Sequence, residues 1–278
     1  MPELPEVETI VRSLRSGGMT GDPVLNRQIR SVDCFNPQTI IFDGSVEQCN
    51  ELLSGSHLLN IDRRAKYIRF QTEKQWILIH LRMSGDLRCE ADNGSALQPH
   101  DRLVIHFSDG MRLAFNDVRK FGRVWVTNDP DAVLAGLGIE PLSDEFTGDW
   151  LFRHLEGRSR MIKTVLLDQS VIAGIGNIYA DESLFDAEIH PKRPASGLTE
   201  KECRKLRDSI RKTLEHAIEQ NGSSFDWAYK GGHFQNEFRV YHRKGEPCPV
   251  CGTPIERIIV GQRGTHFCPH CQVLDVRD

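Results

Sequence analysis

The chain has 278 residues, 39% of them hydrophobic, and a formal net charge of −4. That length and apolar content suit one large or two ordinary globular domains and exclude a wholly disordered chain. No apolar run approaches membrane-spanning length, and the acidic, proline-bearing start lacks the basic and apolar segments of a secretion signal, so a cytoplasmic protein is expected. The charge balance gives no global signature for nucleic acid, which confines any such footprint to local patches.

The first predicted element is a helix. Pro5 suits a first helical position, Glu6 and Glu8 fall in the first turn, and Val7, Ile10, Val11 and Leu14 repeat at helical spacing. Removal of Met1 would leave the secondary amine of Pro2 beside the positive end of that helix. A chain terminus titrates near ~7.7–8.0 against ~10.4 for lysine, and the helix dipole favours its free base. Such an amine can act as a nucleophile, with Glu3 close enough in sequence to exchange protons. On these eight residues alone a well-capped helix is a sufficient reading.

From about Gln28 to Val126 the chain reads as β-rich. Tyr67 to Phe70, Trp76 to Met83, Leu103 to Phe107 and Met111 to Phe115 are apolar or alternating, and Ser108-Asp109-Gly110 is a hairpin turn. This pattern predicts an antiparallel sandwich or barrel with the first helix packed on it. The stretch from Gly138 to Asp144 breaks the pattern and marks a domain boundary. Helices are predicted near Trp150 to Leu155, Met161 to Leu167 and Ile178 to Phe185. The longest starts at Thr199, which can form a capping box with Glu202 and precedes a stripe of Leu206, Ile210, Leu214 and Ile218. Basic clusters occur at Arg63, Arg64 and Lys66; at Arg119, Lys120 and Arg123; at Arg158, Arg160 and Lys163; and at Arg239, Arg243 and Lys244. Each alone reads as a solvated face.

Four of the eight cysteines are scattered, at positions 34, 49, 89 and 203. The others form two C-x-x-C knuckles, Cys248 with Cys251 and Cys268 with Cys271, separated by a span suited to a β-hairpin. That spacing presents four thiolates to one structural zinc ion and leaves no open coordination position for chemistry. A redox C-x-x-C has no need of a matched second copy. Between the knuckles, Gly261-Gln262-Arg263-Gly264-Thr265 is a turn that would project Arg263 from a rigid base.

The opening Pro2-Glu3-Leu4-Pro5-Glu6-Val7-Glu8-Thr9, the stretch Phe115 to Gly122, the stretch Leu167 to Glu182 and the zinc knuckles stand in one order along nearly the whole chain. Together they resemble the bacterial formamidopyrimidine-DNA glycosylase family, which includes endonuclease VIII. The resemblance implies an α+β protein: an N-terminal antiparallel β-sandwich with flanking helices over residues 1–137, a linker at 138–149, a helix-two-turn-helix DNA-binding domain over 150–243 and a zinc finger with a β-hairpin over 244–278. It further implies a monomer acting on damaged double-stranded DNA, without a membrane and associated with the nucleoid through DNA.

In that family the enzyme turns a damaged nucleotide out of the duplex, because an atom inside the stack cannot be reached. The match then assigns Pro2 as nucleophile, Glu3 as acid-base group, and Lys66 as phosphate contact and proton donor in elimination. Met83, Arg119 and Phe121 become the side chains that fill the vacated space. Without the match Met83 and Phe121 would read as core residues. Asn177, after Ala173-Gly174-Ile175-Gly176, becomes a phosphate contact at a helix start, and Arg263 joins the catalytic set from the zinc hairpin. His100 and Lys163 match further DNA-contacting positions. The loop from Phe225 to His233 is several residues shorter than the family's capping loop, which bears on lesion choice. The implied activity is removal of oxidised purines with abasic-site lyase chemistry. An endonuclease VIII-like preference for oxidised pyrimidines, or a damage-binding protein without catalysis, are the alternatives.

Overall fold

A computed structural model describes residues 1–224 and 231–274, so most of the short loop from Phe225 to His233 lies outside the described residues. The chain divides into two compact units. One comprises Met1–Ala135 together with Asn221–Gly232, and the other Gly136–Gln220 together with His233–Asp278. A segment that follows the long helix in sequence therefore folds with the first unit.

In the first unit, α1 (Leu4–Ser16) starts from Glu3, whose N–H donates to the Glu6 carboxylate at 2.8 Å in a capping box. Val7, Ile10, Val11 and Leu14 are all buried, as their spacing requires. Nine strands follow: β1 (Ile29–Cys34), β2 (Ile40–Ile41), β3 (Asn60–Arg64), β4 (Tyr67–Gln71), β5 (Trp76–His80), β6 (Gly85–Ala91), β7 (Asp101–Phe107), β8 (Met111–Asp117) and β9 (Arg123–Thr127). They make a four-stranded sheet in the order β1-β7-β8-β6 and a five-stranded sheet in the order β2-β9-β5-β4-β3. Inward residues of both sheets and of α1 share one apolar core that includes Leu14, Phe70, Ile79, Phe107 and Phe115. Truncating one such side chain typically costs about 2–5 kcal/mol. Two features differ from the sequence expectation. The short β2 pairs parallel to β9, so the sandwich is antiparallel except at that edge. Helix α2 (Val46–Leu53) interrupts the β-rich region, capped by Ser45 with Gln48 returning the bond. That Ser-x-x-Gln signature was present in the sequence.

The second unit opens on Gly138 and Ile139, which hydrogen-bond to Gln169 and Val171, and on Phe146, which is fully buried. The stretch 138–149, expected as a linker, is thus packed into this unit. Helices α4 (Gly148–Leu155), α5 (Ile162–Leu166), α6 (Asn177–Asp186) and α7 (Glu200–Glu219) follow a short α3 (Pro130–Leu134) that closes the first unit. Thr199 caps α7 with Glu202 completing the box, and Leu206, Ile210, Leu214 and Ile218 form its buried face. Strands β10 (Glu256–Val260) and β11 (Arg263–Phe267) pair antiparallel as the terminal hairpin. Its base packs through Cys248, Ile255 and Cys268 against Phe185 of α6 and Val240. No helix among the described residues is long and apolar enough to cross a membrane.

Candidate active site and zinc centre

Pro2 and Glu3 are buried at the entry to α1, and Lys66 is buried in the β3–β4 turn. That turn bends at Ala65, which has φ 53°. Arg63 braces it, bonding Glu8 of α1 through Nε at 3.0 Å and the Ala65 carbonyl through Nη1 at 3.0 Å. The lysine is therefore held in the fold, not displayed on a strand. Burial lowers the pKa of the Met1 ammonium that precedes Pro2; Glu3 and Glu6 oppose that shift, and Lys66 and Arg119 add to it. The charges that act on the amino terminus thus include Glu3 and Lys66, expected as catalytic, and Arg119, expected as a space filler, joined by Glu6. The Glu6 carboxylate also accepts the Ser223 N–H at 2.7 Å. Gly222, at φ 74°, has space for no Cβ, which would stand 2.7 Å from Glu6 Oε1.

His80, at the end of β5, was not singled out from the sequence, where a histidine in an apolar run gives little signal. Its Nδ1 accepts the Arg82 N–H at 3.0 Å, and its ring meets Tyr67 edge-on with centroids 4.8 Å apart. Burial, helped by Arg82 and Lys66, pushes its pKa down to about 3. The imidazole is therefore neutral, with Nε2–H as its donor.

Met83 and Phe121 are surface residues, 43% and 48% exposed, although large apolar side chains usually go inside. Arg119 lies over the Phe121 ring with Cζ 5.0 Å from its centroid. His100 is exposed at the start of β7, at φ 76°, with Nδ1 3.2 Å from Arg102 Nη2. These four occupy turns at one end of the four-stranded sheet, where Gly85 of β6 pairs with Asp117 of β8 and the Asp117 N–H donates to the His100 carbonyl.

In the second unit, Asn177 is the first residue of α6, after a turn in which Gly174 adopts φ 99°. Gln169 shapes that turn, accepting the Gly174 N–H at 2.9 Å and donating to the Ile175 carbonyl at 2.8 Å. Asn177 Nδ2 donates to the Gly264 carbonyl at 2.9 Å, next to the exposed Arg263. Lys163 corrects the sequence reading. Its side chain is fully buried, with Nζ 2.6 Å from Asp181 Oδ1 and donating to Thr265 Oγ1 at 2.8 Å and the Gly264 carbonyl at 3.2 Å. A covered ammonium cannot touch a DNA phosphate. Lys163 instead joins α5, α6 and β11 behind Arg263, and Asp181 completes the junction by accepting the His266 N–H at 2.8 Å.

The four knuckle cysteines converge, with all Sγ atoms within 4.8 Å of one another and measured pairs at 3.5 to 3.9 Å. Tetrahedral zinc with bonds of about 2.3 Å places its sulfurs about 3.8 Å apart, so the donor set fits one zinc ion. The Val250 and Cys271 amides point at Cys248 and Cys268 Sγ, at 3.5 and 3.4 Å, and stabilise the thiolates. One structural zinc holds the base of the hairpin that carries Arg263.

Comparison with known proteins agrees with this arrangement along the whole chain. Residues 1–124 match the formamidopyrimidine-DNA glycosylase N-terminal domain, residues 137–228 the formamidopyrimidine-DNA glycosylase H2TH domain, and residues 245–273 the zinc finger found in FPG and IleRS. The formamidopyrimidine-DNA glycosylase of Ligilactobacillus salivarius is 43% identical over 99% of both chains. The Lactococcus lactis Fpg, solved in complex with DNA containing an abasic site, superposes with a TM-score of 0.88 at 36% identity, covering 98% of this chain and 99% of that one. The same relative in complex with DNA containing an oxidised pyrimidine gives a TM-score of 0.88 at 37% identity, covering 98% of this chain and all of that one. The chain belongs to the formamidopyrimidine-DNA glycosylase family.

Proposed function

We infer that this chain is a base-excision-repair glycosylase that removes oxidised purines from duplex DNA and cleaves the resulting abasic site by β,δ-elimination. The observation that carries the reading is the burial of Pro2, Glu3 and Lys66 at the start of the chain, where burial also lowers the pKa of the neighbouring Met1 ammonium. After loss of Met1 the Pro2 nitrogen would attack the sugar carbon that bears the damaged base, and the base would leave with the bonding electrons and a proton. The sugar ring would open to an iminium joined to Pro2, an electron sink that acidifies the adjacent C2′ proton. Glu3 is the group for these proton transfers. Lys66 would hold the phosphate and give it a proton as it leaves. Asn177 and Arg263 would hold backbone phosphates, which fixes register without reading sequence. Met83, Arg119 and Phe121 would occupy the space the base vacates, the arginine fork meeting the widowed partner. Every assigned residue lies in this chain, so a monomer suffices.

Borohydride reduction with an abasic-site duplex tests the central step, since it fixes an iminium as a stable protein–DNA adduct. A covalent adduct through Pro2 is expected, and its absence would remove the lyase assignment and leave a DNA-binding protein. Oxidised pyrimidines are a second substrate reading, favoured by the Lactococcus lactis complex with that lesion. Excision rates on single-lesion duplexes of each class distinguish the two.

A further inference from the structure

We propose that Asp117 and Ser84 are positioning residues that set the three space-filling side chains in place before DNA binds. The proposal rests on the assignment of Met83, Arg119 and Phe121 as fillers, and extends it to the buried groups beneath them. Those fillers stand on two separate turns, one between β5 and β6 and one between β8 and β9. A single carboxylate joins the turns. Asp117, 1% exposed, accepts from the Ser84 hydroxyl and from the Arg119 N–H at 3.2 Å through Oδ1, and from the Gly122 N–H at 2.7 Å through Oδ2. Ser84 directly follows Met83, and its Oγ accepts the Arg119 N–H at 3.1 Å. The Met83 turn is thereby tied to the backbone that carries Arg119, while both Oδ atoms fold residues 117–122 around themselves.

The surrounding backbone carries the strain expected of a turn held by its neighbours. Arg82 has φ 54° and Lys120 φ 62°, left-handed values that side chains other than glycine rarely adopt. Gly122 is compulsory, because a Cβ there would stand 2.4 Å from Phe115 and 3.1 Å from Asp117 Oδ2. The result is a set of exposed tips on pinned bases. Ordering them during folding removes that ordering from the free energy of base extrusion. Aspartate and serine suit the task because together they accept two N–H groups, sharing that of Arg119, and still satisfy one another.

The experiment measures single-turnover excision for Ser84→Ala and Asp117→Asn on three substrates. These are a lesion in fully paired duplex, the same lesion opposite an unpaired gap where extrusion is easy, and a preformed abasic site. Excision from paired duplex is expected to fall about tenfold, since extrusion opposes a few kcal/mol of stacking there. The other two rates should stay within about twofold for the same reason. Equal loss on all three substrates, or no loss on any, overturns the proposal. Should Asp117→Asn fail to fold, Ser84→Ala decides alone. A Met83→Ala, Phe121→Ala double variant runs alongside. If it leaves paired-duplex excision unchanged, the filler assignment itself is wrong; if it lowers that rate while Ser84→Ala does not, only the positioning role falls. Combining Ser84→Ala with the double variant should add little further loss, because residues acting through one another are not additive.

Discussion

The Glu6 carboxylate accepts the backbone N–H of Ser223, 217 residues downstream, and with its other oxygen accepts the N–H of Glu3. One buried side chain thus fixes both Glu3, the proposed acid-base residue, and the first described turn of the segment that follows α7. Replacing it with Gln keeps the shape but turns one acceptor oxygen into a donor facing an N–H. Base excision by Glu6→Gln is expected to fall about 10²-fold, the scale set by a reacting group misplaced by about 1 Å. Single-turnover kinetics on a lesion duplex measure it, and wild-type rates would remove Glu6 from the site.

Pro2→Gly keeps a terminal amine but exchanges a secondary for a primary one, with different basicity and approach. Borohydride trapping should slow while most DNA affinity remains, because the residues proposed to grip phosphate lie elsewhere. Trapping at the wild-type rate would contradict Pro2 as the nucleophile.

Part of the proposed site was legible in the sequence where its residues are close neighbours in the chain. The glycine turn before Asn177 and the paired cysteine knuckles each show within a few residues, whereas Pro2-Glu3 alone read as a capped helix and took its proposed role from the resemblance. The helical stripe of α7 and the hairpin at Ser108-Asp109-Gly110 were equally local. Glu6, His80, Ser84 and Asp117 were not legible, since their roles come from contacts made only in the folded chain. Lys163 shows the opposite error. Its basic cluster suggested a solvated cation and the resemblance a DNA contact, yet Asp181 lies 18 residues on, on the buried side of α6, and only the fold brings them together.

Lys163 and Arg263 should therefore fail differently. Lys163→Met leaves the Asp181 carboxylate buried without its partner, which typically costs about 3–5 kcal/mol. Its melting temperature should drop, and DNA binding should weaken as the hairpin loosens. Arg263→Ala should melt like wild type and reduce the slope of log affinity against log salt by roughly one, as for loss of one phosphate contact. An unchanged melting temperature in Lys163→Met would refute the buried role.

Zinc removal follows from the same anchoring. Cys268→Ser takes one thiolate from a four-thiolate site, so the protein should bind less zinc and lose DNA affinity, because metal binding contributes folding free energy to the hairpin. Metal content by atomic absorption and a filter-binding titration test this together. Full affinity from metal-free protein would show that the hairpin needs no metal to present Arg263.

His80 predicts how stability changes with pH. Its folded pKa, pushed down to about 3 by burial with Arg82 and Lys66, lies below the ordinary value of 6.5. Above 6.5 neither the folded nor the unfolded chain protonates this ring, so its contribution is complete. As pH falls from 6.5 towards 3 the unfolded chain takes up a proton that the folded one refuses, and stability is lost progressively. The loss from this one group cannot exceed about 1.4 kcal/mol per pH unit. His80→Gln should therefore lose less stability than wild type between pH 7 and pH 5, whatever its stability at pH 7. Denaturant unfolding at both pH values gives the comparison. Parallel changes in the two proteins would mean that the buried imidazole protonates in the native state as readily as in the unfolded one.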